Sequence, residues 1–219
     1  MVNGIRVKVC GITSLVDAEA AHAAGADYLG FILHPLSPRH ITLDAFKALL
    51  PGLPALKKVA VIVYSSPDDL ERVKDVGFDY VQVHFPNETA FFEVAMWTDI
   101  ITPDRLWLAP RIRPGKELDV AFVPLADTFV LDAYHPTKMG GSGEVGDWAA
   151  HAWLTEKFIK VTWVLAGGLN AENIVAAVAA SKAKLVDVNS GVEASPGIKD
   201  HAKLKAFFEA LKQIPVPVA

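Results

Sequence analysis

The chain has 219 residues, of which 52% are hydrophobic and 21% charged, a balance that supports a sizeable hydrophobic core. Its net charge of −4 argues against a surface for nucleic acid, so an anionic ligand would be held by a local arrangement of groups. The single cysteine excludes an internal disulfide and a cysteine-based metal cluster. Because no apolar run resembles a signal peptide or approaches the roughly 18 residues of a membrane span, we expect a soluble cytoplasmic protein with no membrane partner.

Short apolar runs alternate with helical patterns along the whole chain. Eight of these runs suit buried parallel strands: Ile5–Cys10, Tyr28–Leu33, Lys58–Val63, Tyr80–His84, Leu106–Arg111, Phe129–Asp132, Lys160–Ala166 and Leu185–Asn189. Helical spacing of apolar residues is clearest near the end, at Leu204, Phe207, Phe208 and Leu211. The segment Glu117–Thr128 has room only for a short helix, because Pro124 interrupts it.

No linker, low-complexity run or block of charge divides the chain into separate domains. The sequence therefore predicts an α/β fold, a single (βα)₈ TIM barrel over residues 1–219, with an open doubly wound sheet as the alternative.

The first predicted strand stops at Gly11, and either Thr13 or Ser14 can cap the helix that follows. Cys10 thus lies at the carboxyl end of a strand, where α/β barrels place reactive groups. The alternative is that Cys10 is a small buried apolar residue, as many lone cysteines are.

Alternate residues of a barrel strand point into the interior or out toward the helices. On the face expected to point toward the helices, the residues are apolar: Val9, Val81, Val83, Leu131, Val186 and Val188. On the opposite face, which points into the barrel, polar groups stand at Lys8, Cys10, Gln82, His84, Asp132, Asp187 and Asn189. Because an unpaired buried charge costs several kcal/mol, we interpret Cys10 and Asp132 as functional, and Lys8 as one half of a salt bridge, with Asp187 as its candidate partner.

Glycine turns follow the last two predicted strands. Gly167 and Gly168 precede Asn170, which can cap a helix from Ala171, and Ser190 and Gly191 follow the eighth strand. Backbone N–H groups at such turns bind phosphate in barrel enzymes. The loop Gly140–Gly143, which includes Gly141, is a candidate for closing over a ligand.

Arg39, in the loop after the second strand, can bind a carboxylate bidentately, although a solvated surface arginine is an equal alternative. The histidines at positions 34, 40 and 135 lack the spacing of a helical metal motif, and we predict no metal.

Together these motifs resemble one family, the phosphoribosylanthranilate isomerases of tryptophan biosynthesis. The resemblance runs in order through Lys8–Thr13, Gly25–Asp27, Gly30-Phe31, Ser37–Arg39, Val81–His84, Leu131-Asp132, Gly140–Gly143, Leu165–Leu169, Asp187–Glu193 and Ser195–Asp200. It implies an Amadori rearrangement of a phosphosugar substrate without a cofactor, with Cys10 as general base and Asp132 as general acid. It also implies that Arg39 binds the anthranilate carboxylate.

The resemblance further implies that Gly141, Gly167, Gly168, Ser190 and Gly191 contact the substrate, with the phosphate at the last two loops. For Asp187 it implies a role in orienting a sugar hydroxyl or the catalytic groups.

The sequence departs from the family pattern at three places. Phe85-Pro86 replaces a glycine after the fourth strand, Asn189 stands where serine is usual, and Ser142 where threonine is common. The alternatives are another phosphosugar barrel enzyme, such as an indole-glycerol-phosphate synthase or a pentulose-phosphate epimerase, and a barrel that binds a phosphosugar without converting it. Either a monomer or a homodimer is compatible with the sequence.

Overall fold

The computed structural model describes residues 1–64, 66–134 and 146–215. Eight parallel strands form a closed barrel, because β1 is hydrogen-bonded to both β2 and β8. The strands are β1 (Arg6–Val9), β2 (Tyr28–Ile32), β3 (Lys57–Val63), β4 (Tyr80–Pro86), β5 (Leu106–Arg111), β6 (Thr128–Leu131), β7 (Thr162–Leu165) and β8 (Leu185–Val188). Closure confirms the predicted barrel and excludes the open doubly wound sheet.

Helices surround the barrel and connect successive strands. They are α1 (Leu15–Ala24), α2 (Leu43–Leu49), α3 (Pro67–Val73), α4 (Phe91–Ile101), α5 (Trp148–Lys157), α6 (Ile174–Ser181) and α7 (His201–Leu211). Between β5 and β6 there is only a 3₁₀ helix, Val120–Leu125, which contains Pro124 as the sequence led us to expect. Within the described ranges, no helix has the length and apolar character needed to cross a membrane.

The sequence did not predict a small antiparallel hairpin between β8 and α7. It consists of β9 (Glu193–Ser195) and β10 (Ile198–Lys199). Thr13, one of the two candidate caps, donates its hydroxyl to the Gly197 carbonyl in this hairpin over 2.6 Å. Ser14 is the residue that caps α1, by accepting a hydrogen bond from the Asp17 N–H. The hairpin is thereby tied to the loop that follows β1.

Asn170 has a capping side chain as predicted, but the helix after it begins later than expected. Its side chain accepts hydrogen bonds from the backbone N–H groups of Glu172 and Asn173, but α6 begins at Ile174 rather than at Ala171. The prediction of the helix start was therefore wrong, because residues 171–173, which include the capped ones, form a turn that precedes the helix.

Strand parity divides the core into two layers, as predicted. Val9, Val81, Val83, Val186 and Val188 are fully buried in the layer between the strands and the helices. Inside the barrel, the rings of Tyr28, Tyr80 and Trp107 meet with centroids 5.3–5.9 Å apart, near the amino ends of their strands. These aromatic rings occupy the barrel interior near the amino ends of the strands. The polar interior residues are therefore concentrated toward the carboxyl ends.

The unusual Phe85-Pro86 pair extends a strand instead of forming a tight turn. Both residues belong to β4, where they pair with Pro110 and Arg111 of β5. The Phe85 ring is fully buried and packs edge-on against Trp97 and Phe122. Phe85 and Pro86 therefore form part of the barrel wall, and the Phe85 ring anchors that part in the outer core.

Candidate active site

A cavity of about 570 Å³ opens at the carboxyl ends of the strands, within the approximate 300–1,000 Å³ range of small-molecule sites. Seven of the predicted site residues line it: Cys10, Arg39, Asp132, Gly167, Gly168, Asp187 and Ser190. The thiol and the carboxyl group of residue 132 thus reach one cavity from β1 and β6. Gly141, like Ser142 and His135, lies outside the described residues.

Cys10 follows β1 directly and is held by a 2.9 Å hydrogen bond from its N–H to the Val188 carbonyl. Gly30, on the neighbouring strand β2, provides the space for its side chain. A Cβ atom at residue 30 would lie 2.8 Å from the Cys10 Sγ and 2.9 Å from the Lys8 Cε. Since both contacts are shorter than real Cβ atoms tolerate, a glycine here lets the thiol and the lysine pack side by side.

The predicted ion pair between Lys8 and Asp187 is present beneath the cavity. The two residues are direct neighbours on β1 and β8, and the Lys8 Nζ lies 2.7 Å from the Asp187 Oδ2. Burial lowers the pKa of Lys8, but the charges of Asp187 and Cys10 outweigh it and raise that pKa above its usual value. The other carboxylate oxygen of Asp187, Oδ1, is buried and has no hydrogen-bond partner among the described residues. One carboxylate oxygen of Asp187 is therefore bound to Lys8, and the other can bind a ligand in the cavity that Asp187 lines.

Burial raises the pKa of the Cys10 thiol, and the nearby Lys8 ammonium group opposes that shift. The Asp187 carboxylate raises the thiol pKa further. Burial thus makes the Cys10 thiolate, once formed, a stronger base than an exposed thiolate, and the Lys8 ammonium group stabilises it.

Asp132 follows β6, and its Oδ1 accepts a 2.8 Å hydrogen bond from the Ala133 N–H. Burial, with a further contribution from the Asp187 carboxylate, raises the pKa of Asp132 to about 6. A carboxyl group with that pKa still carries its proton in a fraction of molecules at neutral pH. Asp132 can therefore donate a proton where an ordinary aspartate cannot.

Gln82 and His84 project from β4 into the same cavity, and the Gln82 Nε2 lies 2.7 Å from the His84 Nε2. Burial and the positive charges of Lys8 and Arg111 lower the pKa of His84 to about 3, so its ring is neutral. The Gln82 Oε1 is buried without a partner among the described residues. Sequence parity identified both side chains as interior but assigned them no role.

The two predicted phosphate loops lie next to each other. Gly167 and Gly168 have φ angles of 93° and 60°, in the left-handed region that favours glycine. Gly191 does not line the cavity; a Cβ there would lie 1.9 Å from the Leu169 carbonyl oxygen. The small size of residue 191 therefore lets the loop after β8 approach the loop after β7, while Ser190 reaches the cavity.

Arg39 is buried, which excludes the alternative of a solvated surface arginine. Its Nε and Nη2 donate hydrogen bonds of 2.8 and 2.7 Å to the two carboxylate oxygens of Glu193. Lys199 donates to the same carboxylate over 3.1 Å. Sequence reasoning assigned no role to Glu193 or Lys199, although both lie in motifs that carried the family resemblance.

A closed (βα)₈ barrel with a thiol and a proton-bearing carboxyl group at its carboxyl-terminal mouth defines a class of acid–base barrel enzymes. Comparison with known proteins narrows that class. The family model for N-(5′-phosphoribosyl)anthranilate isomerase matches residues 7–210. The chain belongs to the phosphoribosylanthranilate isomerase family.

Individual relatives agree with this assignment. The N-(5′-phosphoribosyl)anthranilate isomerase of Pseudomonas putida is 38% identical over 216 residues, which cover 96% of this chain and 99% of the relative. The crystal structure of the Thermus thermophilus isomerase matches with a TM-score of 0.78 at 32% identity, covering 94% of this chain and 98% of that one.

A further family structure is solved in complex with reduced 1-(o-carboxyphenylamino)-1-deoxyribulose 5-phosphate. It has a TM-score of 0.76 and 30% identity, and the match covers 95% of this chain and 98% of that one.

Proposed function

We propose that this chain catalyses the Amadori rearrangement of N-(5-phosphoribosyl)anthranilate to 1-(2-carboxyphenylamino)-1-deoxy-D-ribulose 5-phosphate, a step of tryptophan biosynthesis. The observation that carries the proposal is the convergence of Cys10 and Asp132 on one cavity, with burial raising the pKa of Asp132 to about 6. The activity named for the relatives, and the ligand bound to one of them, support the same substrate.

Ring opening is the first step, and Asp132 is its general acid. As the bond between C1′ and the furanose oxygen breaks, the carboxyl group gives its proton to that oxygen. The lone pair of the anthranilate nitrogen forms the new C=N bond, which leaves a protonated Schiff base. The raised pKa of Asp132 supports this role, because the group must enter the step protonated.

Isomerisation follows, and the Cys10 thiolate is its general base. It takes the proton from C2′, and the electrons of that C–H bond form a C1′=C2′ double bond while the iminium pair returns to nitrogen. To complete the cycle, the enol hydroxyl gives its proton to the Asp132 carboxylate and C1′ takes the proton held by the Cys10 thiol, which gives the aminoketose and restores both groups. Because the substrate nitrogen accepts and returns the electrons, the proposed reaction uses no cofactor.

The reactive state has an ionised Cys10 and a protonated Asp132, and ionisation of either group disfavours ionisation of the other. Because burial raises the pKa of the thiol above that of the carboxyl group, the reaction proceeds from the fraction of molecules that hold this arrangement of protons. Lys8 stabilises the thiolate form, since its positive charge lies beside the sulfur.

Substrate binding uses the rest of the cavity lining. The loops at Gly167-Gly168 and Ser190 offer backbone N–H groups for the phosphate. The Asp187 Oδ1, which has no partner within the described ranges, can accept a hydrogen bond from a substrate hydroxyl or from the amine. Arg39 binds the anthranilate carboxylate.

The test is an assay in which the purified chain is added to freshly prepared phosphoribosylanthranilate. We expect loss of substrate fluorescence and, by chromatography, formation of the aminoketose at a rate proportional to protein concentration. Recovery of only the starting aminoaldose and its hydrolysis product, anthranilate, would contradict the proposal.

A further inference from the structure

Two buried cations share a single buried carboxylate above the barrel mouth. We call Arg39, Glu193 and Lys199 the Glu193 cluster; their side chains are 9%, 4% and 0% exposed. The Glu193 Oε1 accepts hydrogen bonds from the Arg39 Nε at 2.8 Å, from the Lys199 Nζ at 3.1 Å and from the Gly197 N–H at 3.2 Å. Its Oε2 accepts a 2.7 Å bond from the Arg39 Nη2.

With Lys199 protonated, the cluster carries one more positive charge than negative; burial lowers the pKa of Lys199, and the Glu193 carboxylate opposes that shift. Burial acts to raise the pKa of Glu193, but the hydrogen bonds from Arg39 and the charge of Lys199 hold it below its usual range, so Glu193 is ionised. Lys199 also donates to two neutral oxygens of Asn189, the side-chain Oδ1 at 3.0 Å and the backbone carbonyl at 3.4 Å. The nearby Asp17 binds the Lys199 backbone N–H and the His201 ring rather than the ammonium group.

An excess buried charge is costly unless something compensates it. Arg39 and Asn189 both line the cavity that the substrate is proposed to occupy. The cluster therefore presents a net positive charge to a ligand, and an anionic group on that ligand would neutralise it.

The Arg39 guanidinium and the Cδ atom next to it are both held by neighbouring residues. Glu193 binds the edge of the guanidinium formed by Nε and Nη2, and these contacts do not involve Nη1. The stem packs on Gly11, where a Cβ would lie 3.0 Å from the Arg39 Cδ. A guanidinium group has two edges that can each bind a carboxylate bidentately, so occupation of one edge orients the other.

We propose that Glu193 is a positioning residue, which holds Arg39 so that its remaining N–H groups meet the carboxylate of the substrate's arylamine ring. The inference rests on the proposed function and extends it. It makes Glu193, which need not touch the substrate, a determinant of specificity for a carboxylated aromatic ring. Lys199 supports this role by balancing the Glu193 charge from the opposite side.

The experiment compares two ligands that differ only in the carboxylate. One is reduced 1-(o-carboxyphenylamino)-1-deoxyribulose 5-phosphate, and the other is its phenylamino counterpart without the carboxylate. In the unsubstituted protein we expect the carboxylate to strengthen binding by about 10- to 100-fold, as a charged hydrogen-bonded pair does. In Glu193→Gln we expect that ratio to fall to about 3-fold or less, with the Kd of the phenylamino ligand unchanged.

A double-mutant cycle tests whether Glu193 acts through Arg39. Arg39→Met should remove the carboxylate advantage, and Glu193→Gln added to Arg39→Met should remove no more. The matched control is Lys203→Met, because Lys203 donates to the Glu193 backbone carbonyl at 2.9 Å and not to its carboxylate. We expect Lys203→Met to retain the full carboxylate advantage.

Two results would overturn the inference: an unchanged ratio between the ligands in Glu193→Gln, or an equal loss of affinity for both. If Glu193→Gln does not fold, Glu193→Gln combined with Lys199→Met restores the charge balance and undergoes the same comparison. Failure of the proposed function is separable, because it appears as absence of turnover in the unsubstituted protein before any variant is measured.

Discussion

Lys8 and Asp187 form an ion pair inside the barrel, with 2.7 Å between the Nζ and Oδ2 atoms and no exposed surface on the lysine side chain. They are neighbours on β1 and β8, the two strands that close the ring. A barrel interior normally contains branched apolar residues at such positions. The pair therefore places a charge beside Cys10 where packing alone would favour an aliphatic side chain.

Removing one member of this pair should destabilise the fold. Lys8→Met leaves the Asp187 carboxylate buried without its cation, and we expect a loss of about 3–5 kcal/mol in the free energy of unfolding. Urea unfolding followed by circular dichroism measures it. The control is Lys182→Met, which breaks the exposed pair of Lys182 and Glu156 and should cost less than about 1 kcal/mol. Equal losses in the two variants would contradict this account.

Cys10→Ala should fold normally and lose activity by about 10²- to 10⁴-fold, the usual contribution of a general base. Turnover near that of the unsubstituted protein would remove Cys10 from the mechanism.

The single cysteine makes alkylation an unambiguous probe of the same site. Because the thiol is buried and burial raises its pKa, iodoacetamide should react more slowly with the folded protein at pH 7 than with the urea-unfolded chain. Reduced 1-(o-carboxyphenylamino)-1-deoxyribulose 5-phosphate should slow the alkylation further, because it would occupy the cavity that Cys10 lines. Alkylation at the same rate in the folded and unfolded states would show that the thiol is exposed.

Asp132→Asn should combine a large loss of activity with a gain in stability at neutral pH. The pKa of Asp132 is about 6 in the folded protein and near 3.8 in a free carboxyl group, so the folded state binds the proton more tightly. Stability therefore falls as pH rises from about 4 to about 6, by about 1–3 kcal/mol, and this cost persists at higher pH. Asparagine removes it, so the stability advantage of the variant should be present at pH 7 and vanish below pH 4. An advantage independent of pH would contradict the assignment.

Arg39→Ala should raise KM for phosphoribosylanthranilate by about 10-fold or more and change kcat much less, because the carboxylate is bound similarly before and during the reaction. The variant also removes the net positive charge of the Glu193 cluster, because the Glu193 carboxylate then balances only the Lys199 ammonium group. An unchanged KM would refute the assignment of Arg39 to the carboxylate.

Much of the barrel follows from local sequence patterns. All eight predicted strands exist, with ends within two residues of the observed ones, because a buried parallel strand needs only a short apolar run bounded by turns. Parity also placed Lys8, Cys10 and Asp187 in the interior, since alternation along a strand is a property of the backbone itself. The family resemblance then attached chemistry to Cys10 and Asp132.

Only the tertiary structure determined which residues complete the site. Arg39 and Glu193 are 154 positions apart, and they meet because the β9–β10 hairpin, which no pattern predicted, folds over the loop after β2. The high pKa of Asp132 likewise depends on burial and on Asp187 across the barrel. Sequence alone determines which face of a strand a side chain occupies, because that depends on adjacent residues. Contacts between loops depend on how distant segments close over the barrel, and only the folded chain fixes that geometry.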